Sequence, residues 1–162
     1  MKNSILNFLL LFICLPLLSC QKSEDKIQKT DINSYINDFE LLQENLSNDK
    51  TIRITSPKAI INTLNNDIEI FDSSIEIFNE NSIDIIVTSR NSKLTNSTNF
   101  IKVFDNVNIL LLDTNNYFIK TDSFIWDLNT SNIDLNSPLY FNSDATTIFS
   151  SKGIYNIKSG LL

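Results

Sequence analysis

Hydrophobic and polar residues alternate along most of this chain, most clearly within Ile101–Leu128. In this stretch apolar side chains recur at every second position, as at Val107 and Ile109. Successive side chains of a β-strand point to opposite faces of a sheet, so the alternation predicts half-buried strands. Aspartate and asparagine interrupt the pattern at Asp105–Asn106 and Asp113–Asn116, where their side chains favour turns. The stretch is therefore predicted to consist of short strands joined by turns.

Residues 34–48 fit two patterns. Phe39, Leu42 and Leu46 would share one face of a short helix, and the Glu, Leu and Gln residues of this segment favour helices. Phe39 and Leu41 would instead share one face of a strand. An internal repeat in the rest of the chain favours the strand for residues 35–46.

That repeat has a period close to 33 residues and consists of strands throughout. Its hydroxyl residues Thr55, Thr88, Thr121 and Ser150 lie 33, 33 and 29 positions apart. A unit made of strands cannot bury its apolar face alone, so neighbouring units are predicted to stack into an elongated pair of sheets. The matching segments are Ile52–Pro57, Ile86–Arg90, Ile119–Ser123 and Ile148–Lys152, interleaved with Ile68–Phe78, Ile101–Leu111 and Ile133–Phe141.

The N-terminal residues are predicted to form a targeting signal. Ile5–Leu18 is an apolar run of 14 residues, which suits a signal peptide and is short for a bilayer span of roughly 20 residues. Leu17–Ser19 followed by Cys20 resembles a bacterial lipobox, so residues 1–20 are predicted to be a lipoprotein signal peptide with Cys20 as the lipidated residue. The alternative is an uncleaved signal anchor. The polar residues 21–34 are predicted to form a flexible tether, and residues 35–162 the folded domain.

Composition narrows the function classes. The net charge is −6 and no basic residues cluster, which argues against nucleic acid as a partner. The chain has no histidine, the commonest general base and metal ligand. Its carboxylates alternate with apolar residues, as on the solvated face of a strand. No catalytic residue, metal site or cofactor is predicted. The two cysteines, Cys14 and Cys20, are placed so that no disulfide is expected in the mature chain.

Several motifs, taken in order, resemble a known family. That family is LptC, the periplasmic component of lipopolysaccharide export, with its OstA-like relatives LptA and the plug-side domain of LptD. The chain departs from the family at Asp105, where a glycine is usual, and in its lipobox, where a transmembrane helix is usual. The motifs that carry the resemblance are Ile54–Ala59 (ITSPKA), Val103–Ile109 (VFDNVNI), Ile119–Asp127 (IKTDSFIWD), Ile133–Phe141 (IDLNSPLYF) and Ile148–Tyr155 (IFSSKGIY).

The resemblance implies a fold and a function. The expected fold is all-β, an elongated open β-jelly-roll of two twisted antiparallel sheets. The expected protein is periplasmic and held by its lipid anchor, at the inner membrane rather than the outer. It would accept lipopolysaccharide, or a similar amphipathic glycolipid, from an inner-membrane ABC transporter complex and pass it to a periplasmic LptA-like bridge protein. The residues expected to line its hydrophobic groove are Ile85, Val87, Val103, Ile109, Leu111, Ile119, Trp126 and Phe141.

The last strands are expected to form a docking edge. Thr146–Ser151 and Gly153–Lys158 carry few charges and no proline, and an unguarded sheet edge invites strand addition from a partner. The first hairpin, Asp38–Thr55, is the expected opposite edge. The alternative reading is a structural or adhesive envelope lipoprotein, a β-sandwich with an ordinary core and no lipid cargo. The residues expected at the partner edge are Ile148, Phe149, Ser150, Ile154, Tyr155 and Ile157.

Overall fold

Ten antiparallel β-strands form one sheet in a computed structural model of the chain. The structure describes residues 33–45, 50–80, 82–112, 117–130, 132–143 and 145–162, which belong to one unit spanning Asp31–Leu162. The all-β prediction is therefore confirmed. The strands are β1 (Asn33–Asn45), β2 (Lys50–Asn62), β3 (Ile68–Asn79), β4 (Ser82–Thr95), β5 (Phe100–Leu111), β6 (Tyr117–Asp127), β7 (Asn132–Leu135), β8 (Leu139–Asn142), β9 (Thr147–Ser150) and β10 (Gly153–Asn156).

The strands follow one another across the sheet in chain order. Each of β1 to β6 pairs with the next strand, β7 pairs with β10, and β8 lies between β6 and β9. Because β1 covers the ambiguous segment as far as Asn45, the strand prediction is confirmed for residues 35–45, and residue 46 lies outside the described residues. The 33-residue period corresponds to one antiparallel hairpin, so equivalent segments of the repeat lie in β2, β4 and β6.

A row of bends crosses the sheet from β1 to β6. Asp38, Asp72 and Asp105 have positive φ angles of 51°, 50° and 64°. The strand registers align these residues with Pro57 of β2 and Arg90 of β4, in a row that we call the fold line. Aspartate and asparagine tolerate this left-handed conformation better than other non-glycine residues. The asparagine and aspartate residues therefore replace the glycines that the sequence largely lacks.

The fold line divides the sheet into two layers. Side chains of Leu41 in one layer and of Ile68 and Leu94 in the other line the same cavity, so the layers face each other across the interior. The two sheets of the expected open jelly-roll are thus two halves of one bent sheet. The A layer contains residues 33–37, 58–62, 68–71, 91–95, 100–104 and 123–127 with β7 and β10; the B layer contains residues 39–45, 50–56, 73–79, 82–89, 107–111 and 117–121 with β8 and β9.

The turn predicted at Asp105–Asn106 is wrong, because the chain does not reverse there. Both residues lie within β5 and have positive φ angles, 64° and 59°. The register of β5 shifts at this point against both β4 and β6, which shows that β5 carries one extra residue, a β-bulge. The Asn91 side-chain amide donates a hydrogen bond of 2.7 Å to the Asp105 carboxylate across the bulge. The turn predicted at Asp113–Asn116 lies outside the described residues.

Small hydroxyl side chains line the inner side of the fold line. Buried Ser73 lies 2.9 Å from Ser89 and 2.7 Å from Ser92, measured between hydroxyl oxygens. Thr121, also buried, donates its hydroxyl proton to the Pro138 carbonyl at 3.1 Å. A bend leaves backbone polar groups without ladder partners, and hydroxyls can satisfy such groups inside a core. Ser89 also donates its hydroxyl proton to the Asn91 carbonyl at 3.1 Å, so these side chains hydrogen-bond backbone groups where the sheet bends.

Replacing Asn106 with valine is expected to destabilise the domain by about 1–2 kcal/mol. A β-branched residue is strained at the positive φ of this position, whereas asparagine tolerates it. Asn106→Gly is the matched control, because glycine adopts a positive φ without strain, and it should leave the free energy of unfolding within about 0.5 kcal/mol of the wild type. Urea denaturation measures both. An unchanged midpoint in the valine variant would contradict the role of this bend.

Candidate functional site

The apolar interior between the two layers contains the residues expected to line the groove. Seven of the eight are at most 4% exposed, and all seven belong to one hydrophobic cluster. The eighth, Phe141, is partly buried and packs on Tyr117 with ring centroids 5.2 Å apart. Val103 and Trp126 come from the A layer, and the remaining members come from the B layer: Ile85, Val87, Ile109, Leu111, Ile119 and Phe141.

In β2, β3, β4 and β6 the burial pattern changes phase at the fold line, whereas in β5 the extra residue of the bulge has the same effect without a change of phase. In β6, Ile119 and Thr121 are buried before the bend, whereas Phe124 and Trp126 are buried after it. A strand that alternates without interruption would expose one of these pairs to solvent. The bend therefore turns both halves of a strand toward the same interior, which gives apolar walls on two sides.

The interior is well packed where most of the expected groove residues lie. Trp126 is 1% exposed, and its indole N–H donates a hydrogen bond of 3.3 Å to the Thr130 carbonyl oxygen. At the β10 side, a Cβ atom at Gly153 would lie 2.9 Å from a side-chain carbon of Leu139, so the two layers approach closely there. An acyl chain entering this region would have to separate side chains that are now in contact.

The layers separate instead beside β1, where a cavity of about 390 Å³ lies between them. Its apolar walls are Leu41 of the B layer and Ile61, Ile68 and Leu94 of the A layer, and its rim is formed by amide side chains. Sequence reasoning missed this cavity. The available signal was the pair of apolar residues, Ile61 and Ile68, that flanks the asparagine-rich β2–β3 turn. The amide residues of the rim are Gln43, Asn66, Asn96 and Asn99.

The C-terminal edge of the sheet exposes apolar side chains. Phe149 of β9 is 77% exposed and Ile154 of β10 is 59% exposed. Among the described residues, β9 pairs with β8 and with no other strand, so its outer edge faces away from the sheet. The Phe149 ring packs edge-on against the Tyr140 ring of β8, with centroids 4.7 Å apart. This contact holds a large apolar side chain at an edge that another strand could join.

The other residues expected at that edge divide into two groups. Ile148 is 45% exposed and Ser150 is half-buried, so both lie at the surface with Phe149. Tyr155 and Ile157 are 6% and 4% exposed and belong to the core. The C-terminal residues also cover part of the β10 edge, because the Asn156 amide donates a 2.8 Å hydrogen bond to the Leu161 carbonyl. The exposed apolar residues of the expected docking edge are therefore Ile148 and Phe149 of β9 and Ile154 of β10, rather than the whole Ile148–Ile157 segment.

The opposite edge of the sheet is β1, as expected for the first hairpin. Within the described residues β1 pairs only with β2. Its side chains include the acidic residues Asp38, Glu40 and Glu44. At the other edge, Lys152 lies between β9 and β10, and Lys158 follows β10. The two edges thus differ in charge, which would let partners distinguish one from the other.

Membrane attachment and metal binding can be addressed only for the described part of the chain. Cys20 and the predicted signal peptide lie outside it. None of the described residues forms a helix of the length and apolarity needed to span a bilayer. The same residues contain no group of three or more histidine, cysteine, aspartate or glutamate side chains placed to hold a metal ion.

Two layers around an apolar interior, with an exposed edge strand at the C-terminal end, define the domain as an open β-jelly-roll. A family model described as "Lipopolysaccharide-assembly, LptC-related" matches residues 5–162, and the chain belongs to this LptC family. Comparison with the curated proteins finds no match. Membership in the family makes the chain a component of lipopolysaccharide transport in the periplasmic envelope.

Proposed function

We propose that this protein receives lipopolysaccharide between its two layers from an inner-membrane ABC transporter complex and passes it to a periplasmic bridge protein. Lipidation at Cys20 would tether it to the membrane. The observation that carries the proposal is the cavity beside β1, whose apolar wall residues Leu41, Ile68 and Leu94 pack against the buried hydrophobic cluster between the layers. Each buried acyl methylene contributes roughly 0.8 kcal/mol, so several acyl chains bind well without specific polar contacts.

The packing of the interior also explains how such a site could stay closed when empty. The walls meet through apolar contacts alone at most positions, since the cluster is almost entirely aliphatic and aromatic. An acyl chain can replace such contacts with equivalent ones, because dispersion and the hydrophobic effect are not directional. Cargo entering beside Leu41 would therefore part the layers progressively toward the C-terminal edge.

The C-terminal edge supplies the docking surface in this proposal. Strand addition to β9 would extend the B layer into the bridge protein, and the apolar interior would then continue from one domain into the next. Exposed Phe149 and Ile148 would provide the apolar contacts, and the backbone of β9 the hydrogen bonds. The packed interior favours one competing function, a structural envelope lipoprotein without cargo, and a crosslinking experiment separates the two.

A photo-crosslinking amino acid at Leu111 or Trp126 is expected to capture lipopolysaccharide in cells. The two residues lie in different layers and are 4% and 1% exposed, so crosslinking reports cargo inside the domain. The adduct is measured by immunoblotting with an antibody against lipopolysaccharide. The matched control is the same amino acid at Ile125, which is next to Trp126 on the outer face and 37% exposed. Equal or absent adducts at all three positions would exclude internal cargo and favour the structural role.

A further inference from the structure

A second cavity lies directly behind the first, on the outer face of the A layer. It has a volume of about 250 Å³ and is lined mainly by polar side chains, including Asn33, Asn62, Asp67, Glu69 and Lys93. Nothing in the proposed transport through the interior uses these residues. These residues belong to four strands that are neighbours in the sheet, β1 to β4, and to the turn that joins β2 to β3.

The strand register places the two cavities back to back. Ile68 pairs with Leu94, and both line the inner cavity, whereas Glu69 pairs with Lys93, and both line the outer one. Ile61 faces inward in the same way. Because neighbouring residues of a strand point to opposite faces, one thickness of sheet separates an apolar cavity from a polar one. The β2–β3 turn forms the rim between them.

The outer cavity is held in place by a buried carboxylate. The Asp67 side chain is 11% exposed and accepts hydrogen bonds from the Asn96 backbone amide at 3.2 Å and the Asn65 side-chain amide at 3.1 Å. The Lys93 ammonium lies 3.5 Å from the same carboxylate. These contacts join the β2–β3 turn to β4, so the polar groups of the cavity are positioned before any ligand arrives.

An exposed aromatic ring lies beside this cavity. Tyr35 pairs with Ile60, a cavity residue, and is 68% exposed. The Lys58 ammonium lies 5.5 Å from the centre of the Tyr35 ring and at the same distance from the Phe71 ring. A flat apolar ring next to carboxylate, amide and ammonium groups suits a sugar, whose ring carbons pack on the aromatic face while its hydroxyls hydrogen-bond the polar groups.

We infer that the outer cavity binds the saccharide head group of the amphipathic glycolipid whose acyl chains enter the inner cavity. This inference rests on the proposed function for the identity of the ligand. The glycolipid crosses the rim at the β2–β3 turn, with its chains between the layers and its sugars against Asn33, Asn62 and Glu69. The site would therefore select glycolipids over phospholipids, which have acyl chains but no sugar.

Deacylated lipopolysaccharide, which retains the saccharide and lacks the acyl chains, tests the inference on the full chain. Titration followed by NMR should shift the backbone amides of Asn33, Asn62 and Glu69. The double variant Asn33→Ala with Glu69→Gln should weaken binding at least about tenfold, because one change removes a neutral hydrogen bond and the other weakens a charge-assisted one. Both residues are exposed, so the fold should be unaffected. Asp134→Asn is the control, an exposed carboxylate further along the A layer.

The two possible failures can be told apart. If the saccharide leaves these amides unshifted, or the double variant binds it as the wild type does, the outer site is excluded, whatever the crosslinking at Leu111 shows. If the double variant loses saccharide affinity and the control does not, the outer site stands. Should intact lipopolysaccharide then fail to crosslink at Leu111, the internal cargo function fails while the saccharide site remains.

Discussion

A proline at whichever of Ile148 and Phe149 donates its backbone N–H outward is expected to abolish co-purification of this protein with the proposed bridge protein. Successive backbone N–H groups of a strand point to opposite sides, so one of these two positions donates outward from β9 and the other donates toward β8. At the outward position proline removes a hydrogen-bond donor and places its ring against the incoming strand, while the β8–β9 ladder keeps its own hydrogen bonds. The variant that loses the outward donor should bind the bridge protein at least about 100-fold more weakly and keep its own fold.

The comparison between the two prolines is the control for folding. The variant that loses the inward donor should weaken β8–β9 pairing and lower the melting temperature, whereas the outward variant should melt close to the wild type. Ile125→Asp adds a charge to the outer face of β6, an inner strand, and should leave the association intact. Binding is measured by surface plasmon resonance with purified bridge protein. Unchanged affinity in both proline variants would show that the bridge does not add a strand to β9.

The strands could be predicted from sequence because their alternation is locally strong. In β5, apolar residues at Ile101, Val103, Val107 and Ile109 keep the same phase throughout, and all four are buried. The bulge at Asp105–Asn106 preserves that phase, and the same two residue types also favour hairpin turns. Sequence alone cannot separate a bend from a reversal here, because the difference lies in pairing to β4 and β6 rather than in local preference.

Sequence alone also cannot show which hydroxyl residues at the bend are buried. The repeat drew attention to Thr55, Thr88 and Thr121, yet only Thr121 is buried. The buried residues near the other two are their neighbours Ser56 and Ser89. Which of two adjacent hydroxyls points inward depends on the exact position of the bend, and a shift of one residue exchanges the faces. The repeat therefore marks residues that lie next to the fold line, but it does not show which of two neighbouring hydroxyl side chains points inward.

Of the candidate sites, the buried interior could be predicted from sequence and the two cavities could not. Burial of Ile85, Val87 and Leu111 follows from alternation, so their place in the interior could be anticipated. The two cavities beside the β2–β3 turn could not, because each is assembled from strands that are distant in sequence. Asn33 and Lys93 meet only through the register of β1, β2, β3 and β4. Long-range register is the information that residue types along one strand do not contain.

Replacing Trp126 with alanine is expected to lower the free energy of unfolding by about 3–5 kcal/mol. Trp126 is 1% exposed and is among the largest fully buried side chains of the described residues. Its removal loses transfer free energy and leaves a cavity that the surrounding β-strands can only partly fill. For a domain of this length the loss corresponds to a fall in melting temperature of about 10–20 °C, measured by circular dichroism. Ile125→Ala, on the outer face, should cost less than about 1 kcal/mol.

The Trp126→Ala variant also tests whether lipid enters the interior of the domain. An apolar cavity inside a domain stays dry and accepts apolar ligands, so the space left by Trp126→Ala should take up an acyl chain if lipid can reach the interior. A ligand that binds only the folded state raises the melting temperature through mass action. Lipopolysaccharide should therefore restore part of the lost stability in Trp126→Ala and add little to Ile125→Ala. An equal shift in both variants would mean that lipid contacts the surface alone, and the interior would then be a closed core.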